Sequence, residues 1–195
     1  MPAISTDMRL HAATGARLYI NEHERRRFME ATRVAPVPFR RLCLVLTFTG
    51  CRVSEALALT GQSIQTDTAT IAIRTLKKRR HTAVREVPVP TSLIAELTPD
   101  ERPSDARLFP VCRTTAWRQV KSVMDAASIT GPQATAKGLR HGFGVHALQS
   151  GVPLNLLQKW MGHAHISVTA VYGNAVGPEE RMIAERMWHD ICRTN

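Results

Sequence analysis

No apolar run in these 195 residues approaches the roughly 18 needed for a membrane-spanning helix, and Leu42 to Phe48 falls far short. The opening stretch, MPAISTDMRLHAATGAR, lacks the apolar centre of a secretory signal. Cysteine is scarce and scattered, with Cys43, Cys51, Cys112 and Cys192 showing no paired metal-ligand spacing. Cys43 and Cys51 sit in or beside apolar surroundings and read as buried thiols. These absences argue against a disulfide framework and a structural zinc, and they lead us to expect a reducing, cytoplasmic compartment. Acidic residues are also few, 16 against 26 Lys+Arg, which leaves a formal charge of +10. Such an excess suits a polyanionic partner, and without a membrane anchor nucleic acid is favoured over an anionic membrane surface. At 44% apolar residues, with no repeat or low-complexity tract, the chain is expected to build one folded domain.

Periodicity divides the chain into a mostly helical α+β pattern. Residues 1–20 show no strong period and are expected to form a flexible lead-in, with the folded domain over 21–195. Asn21 with Glu24 forms a helix-start signal for a basic helix to about Arg33. Pro36 and Pro38 separate it from an apolar helix over about Phe39–Thr49, which Gly50 ends, and Ser54–Leu59 reads as a short helical segment. The β-branched stretches Thr68–Thr75 and Val84–Val89 flank KKRRHTA and predict an antiparallel hairpin with a basic loop. Helices are expected at about 91–97, 113–128, 137–149, 153–160, 166–172 and 178–191.

Four islands carry the chemistry: TGCRVSEALAL (49–59), LKKRR (76–80), KGLRHGFGVHAL (137–148) and MGHAHISVTAVYG (161–173). In order and spacing they resemble the catalytic signature of tyrosine recombinases, the phage integrase family. The resemblance implies the mostly helical catalytic domain of that family, with one small antiparallel sheet. It also implies site-specific cleavage and rejoining of double-stranded DNA through a covalent 3′-phosphotyrosine. Integration, excision, inversion and resolution all use that chemistry. A DNA-binding regulator on the same fold and a type IB topoisomerase are the alternatives. The resemblance implies no metal and no cofactor.

Transesterification at a DNA phosphate requires a nucleophile, cations on the non-bridging oxygens, and a proton for the departing 5′ oxygen. The chain has two tyrosines; Tyr19 precedes the periodic region, and Tyr172 stands nine residues after His163, as in the family pattern. Tyr172 is therefore the expected nucleophile. Arg52 and Arg140 are assigned to the scissile phosphate, which a planar guanidinium can clamp through two bonds. Glu55, three residues beyond Arg52 on one helical face, is expected to hold that guanidinium in place. The resemblance implies a general-acid lysine on this hairpin, and period two, which puts Lys77 on the face of Ile71, Ile73 and Thr75, selects Lys77, with Lys78 as the alternative. Lys78, Arg79, Arg80 and His81 are expected to bind DNA phosphates.

Lys137 departs from the family, which most often has histidine there. It can donate to the phosphate but is a poor base, since lysine's reference pKa is about 10.4. His163 is expected to donate to the phosphate or position Tyr172. His141, His146 and His165 read as structural or peripheral, and Trp117 as a core residue. The tail PEERMIAERMW places Met182, Ile183, Met187 and Trp188 at helical spacing, for docking on a neighbouring subunit or on its own domain. The helical DNA-clamping domain typical of the family is not expected within the chain. DNA would then be held on one face, with a homo-oligomer (a tetramer on DNA) or accessory proteins assisting.

Overall fold

A computed structural model describes residues 9–76, 83–98 and 103–174, together with Arg181, Ala184, Glu185 and Trp188. Its first helix, α1 (Glu22–Val34), begins at the expected capping box: Glu24 N–H donates to Asn21 Oδ1 at 2.9 Å, and Asn21 N–H donates to Glu24 Oε2 at 3.0 Å. Helix α2 (Val37–Thr49) starts earlier than its sequence suggested, because Pro38 falls in the first turn, where its missing N–H has no bond to lose. It ends at Gly50, whose φ of 59° is left-handed. The short α3 (Val53–Ala56) follows at once, with Arg52 at its N-cap.

Three strands form an antiparallel sheet in the order β1 (Ile64–Gln65), β2 (Thr70–Arg74) and β3 (Val84–Pro88). The pairing Ile71↔Val87 and Ile73↔Arg85 turns one face inward, and Ile71, Ile73 and Val87 are buried. Strand β1 was missed, since two residues are too few to show an alternation. The helices α4 (Thr91–Leu97), α5 (Arg113–Ala126), α6 (Ala136–Gln149), α7 (Leu154–Met161) and α8 (Ile166–Ala170) complete the described elements. A 3₁₀ turn, Val171–Asn174, replaces the end of the helix expected to reach residue 172. The basic loop residues Lys77, Lys78, Arg79, Arg80 and His81 lie outside the described residues, as does most of the helix expected at 178–191. No described helix is long and apolar enough to cross a membrane.

The main core joins α2, α5 and the inner sheet face through Leu42, Val45, Leu46, Ile71, Ile73, Val120 and Met124. A second cluster sets Leu10 and Tyr19 with Val145, Leu157, Met161 and Tyr172. The segment expected to be a flexible lead-in is thus packed from Leu10 onward. Its backbone crosses α6, where Ile20 N–H donates to Gly138 O at 3.1 Å and a Cβ on Gly142 would meet Ile20 O at 2.6 Å. Apolar residues without a regular period carry that packing. Trp117 also departs from expectation. The buried face of α5 carries Ala116, Gln119, Val120, Val123 and Met124, which leaves Trp117 turned outward and 53% exposed.

Candidate active site

The middle of the site is the guanidinium of Arg140, buried at the first turn of α6. Its Nη1 donates to Gly50 O at 2.6 Å and its Nη2 to Met161 O at 2.8 Å. Both carbonyls end helices, α2 and α7, so two negative dipole ends face one cation. Burial, with Arg52 nearby, pulls Arg140 down to about 10, which leaves it cationic at neutral pH. Gly50 suits this helix end: its φ is left-handed, and a Cβ there would clash with the Phe143 ring.

His163 follows the left-handed cap Gly162 at the end of α7. Its Nε2 lies 3.0 Å from Arg140 Nη2 and its Nδ1 lies 2.9 Å from Thr169 Oγ1. Arg140 can only donate, so Nε2 accepts and Nδ1–H donates to Thr169; the network assigns this tautomer. Burial, then the charges of Arg140, Arg52 and Arg85, push the imidazole down to about 3, so it is neutral here.

Tyr172 lies behind these groups, 1% exposed. Its ring stacks on His163 with centroids 6.2 Å apart at 13°, and its hydroxyl is 3.3 Å from His141 Nδ1. The ring reaches α6 only because residue 144 is glycine, since a Cβ there would sit 2.6 Å from ring carbons. Burial raises the hydroxyl to about 12, against the opposing pull of Arg140 and Arg52. His141 is buried, which selects the structural of its two sequence readings over the peripheral one.

Arg52 and Glu55 pair as expected, with Arg52 Nη1 donating to Glu55 Oε1 at 3.2 Å. The sequence reading missed Arg85. This buried arginine on β3 donates to Glu55 Oε2 at 2.7 Å, to Trp160 O at 2.7 Å and to Thr75 Oγ1 at 3.1 Å. Burial alone would raise the Glu55 carboxyl, but Arg85, followed by the Arg52 N–H and charge, holds it below its ordinary value. The signal was present in the alternation: Arg85 shares the inward face of β3 with Val87, and a charged residue there needs a buried partner.

A cleft of about 310 Å³ opens over this assembly, bordered by Arg52, Arg113, Trp117, Lys137, Arg140 and His141. Four of the six are cationic side chains, which suits the cleft to a phosphate. His163 and Tyr172 stand directly behind Arg140 and His141. Of the residues singled out from sequence, Arg52, Glu55, Lys137, Arg140, His163 and Tyr172 are thus brought to one place.

A model of the phage integrase family matches residues 19–176. The chain belongs to the phage integrase family. Its relatives include the tyrosine recombinase XerA of Pyrococcus furiosus, 27% identical over 182 residues that cover 86% of this chain and 60% of that protein. A crystal structure of XerA recombinase superposes with a TM-score of 0.72 at 22% identity, covering 88% of this chain and 64% of that one. The XerH site-specific recombinase bound to its difH substrate, in a pre-cleavage complex, gives 0.68 at 21% identity, covering 91% and 59%. At these identities the two structures establish the fold. This phage integrase family chain thus spans less than two thirds of the length of these relatives.

Proposed function

We propose that the chain is the catalytic part of a site-specific tyrosine recombinase, cleaving and rejoining DNA strands through a 3′-phosphotyrosine on Tyr172. One observation carries the reading: Arg52 and Arg140 line a single basic cleft, with His163 and Tyr172 immediately behind them. Arg52, Arg140 and Lys137 bind the non-bridging oxygens and stabilise charge in the pentacovalent transition state. Glu55 aims Arg52. His163, stacked on the Tyr172 ring, positions the nucleophile. Lys77 protonates the departing 5′ oxygen, and Lys78, Arg79, Arg80 and His81 hold the flanking backbone. The XerH complex with difH supports duplex DNA as the partner. Assembly as a homo-oligomer on DNA, by way of the C-terminal segment, and action within the cytoplasm complete the reading.

The test is incubation without added metal, using supercoiled DNA and a nicked suicide duplex bearing sites from the protein's genetic neighbourhood. A denaturant-resistant protein–DNA adduct, absent in Tyr172→Phe, is the expected result. DNA retention on a gel with no adduct from either protein would favour a binding regulator instead.

A further inference from the structure

The proposed reaction leaves one proton without a destination. Tyr172 must shed its hydroxyl hydrogen as its oxygen attacks phosphorus, and at neutral pH a buried phenol needs an acceptor in contact with it. Two residues expected near the reaction cannot serve. Lys137 presents an ammonium, which has donors and no lone pair. His163 has both nitrogens engaged, on Arg140 at 3.0 Å and on Thr169 at 2.9 Å. It also offers Tyr172 its ring face, at 13° between planes, so neither nitrogen points at the hydroxyl.

His141 is placed differently. It is 1% exposed, its Nδ1 lies 3.3 Å from Tyr172 Oη, and the two rings meet at 53°. It also borders the basic cleft, so one imidazole touches both the nucleophile and the space open to a phosphate. The absence of a side chain at Gly144 is what seats the tyrosine ring there, so the contact is built into α6. It exists before any DNA arrives.

The geometry points to His141 as the acceptor of the Tyr172 proton, an inference that rests on the strand-cleavage reading above. The Oη–H bond breaks and the proton passes to Nδ1. The Oη–P bond forms while the P–O5′ bond breaks. The 5′ oxygen leaves with a proton from the general acid, for which Lys77 is the residue proposed. Rejoining runs in reverse, with the imidazolium returning its proton to Oη. Acceptance at Nδ1 requires the imidazole to carry its hydrogen on Nε2. The groups facing it are Tyr172 from the 3₁₀ turn, His163 ahead of α8, Cys51 and Arg52 between α2 and α3, and Arg113 on α5. Lys137 and Arg140 share its helix. The surrounding charges are mostly positive.

The experiment is single-turnover adduct formation on a nicked suicide duplex from acid to alkaline pH, with wild type, His141→Asn and Lys77→Ala. Asparagine carries an oxygen close to the position of Nδ1 and can accept a hydrogen bond but not a proton. Each protein is also given a duplex whose bridging 5′ oxygen is sulfur, a leaving group that needs no acid. His141→Asn is expected to slow adduct formation by about 10²-fold or more. It should lose the acid-side limb of the wild-type profile and remain slow on the sulfur substrate, with DNA binding unchanged. Lys77→Ala should recover on that substrate.

Wild-type rate and profile in His141→Asn would overturn the assignment, as would its rescue by sulfur, which would move His141 to the leaving-group side. If His141→Asn does not fold, the wild-type profile decides, and a profile with no acid-side limb overturns the proposal. Wild type that forms no Tyr172-dependent adduct removes the cleavage reading itself, which separates that failure from one confined to His141.

Discussion

Arg85 holds Glu55 more closely than Arg52 does, at 2.7 Å against 3.2 Å, and it does so from deeper in the protein. The same guanidinium reaches Trp160 O and Thr75 Oγ1, so it ties α3, the end of α7 and the exit of β2 together. Glu55 therefore serves the site through two arginines: Arg85 fixes the carboxylate, and the carboxylate fixes Arg52. Arg85→Met would leave that carboxylate buried without its main partner. A loss of about 3–5 kcal/mol is expected in urea unfolding, with much of it recovered by adding Glu55→Gln. A loss in the double variant equal to the sum of the two single losses would show that the pair is not coupled.

His163 makes stability depend on pH. Its folded value near 3 lies below the ordinary histidine value of 6.5, so the unfolded chain binds the extra proton between those limits. Stability from this group is fully present above about 6.5 and is lost as pH falls toward about 3. Comparing urea unfolding of wild type and His163→Gln should show a slope differing by up to about 1.4 kcal/mol per pH unit within that window. Parallel slopes would mean that the imidazole is not held neutral.

Gly144→Ala tests the seat of Tyr172. Its Cβ would lie 2.6 Å from the Tyr172 ring, so the ring must move. We expect a stability cost of about 1–3 kcal/mol and adduct formation reduced by at least about 10-fold, with DNA affinity retained. Unchanged adduct formation would show that the seat does not prepare the tyrosine.

Arg140→Lys keeps the charge and loses the fork. Lysine cannot donate to Gly50 O, Met161 O and His163 together, as Arg140 does. Adduct formation on the suicide duplex should fall by about 10²-fold or more, the scale of removing one transition-state donor. A rate within a few-fold of wild type would reduce the arginine to simple charge.

Trp117 stands half exposed at the edge of the cleft. DNA binding should quench its fluorescence, and Trp117→Ala should abolish that change while shifting stability by no more than about 0.5 kcal/mol. Quenching that persists in the variant would assign it to another tryptophan.

These tests follow the division between what the sequence disclosed and what it hid. Local rules were legible: Asn21 and Glu24 announced their capping box, Gly50 its helix end, and the β-branched stretches their hairpin. The separations of Arg52, Arg140, His163 and Tyr172 were enough to place them in one family pattern. Contacts between distant segments were less visible. Trp117 sits one step away from the buried face of α5, a rotation that composition does not reveal. Leu10, Tyr19 and Ile20 are buried without any regular period between them, so periodicity had nothing to detect. His141 gains its place from a tyrosine 31 residues away and from a missing side chain at Gly144.

The clamp on Arg140 has a consequence for when the proposed chemistry becomes possible. Its three anchors come from residue 50, residue 161 and residue 163, which meet only after the chain between them has closed. During synthesis, Arg52 and the hairpin emerge long before the last anchor, and the nucleophile emerges later still. A nascent or half-folded chain can therefore hold a phosphate loosely but has no means to break it. On the proposed reading, strand scission waits for molecules that have finished folding.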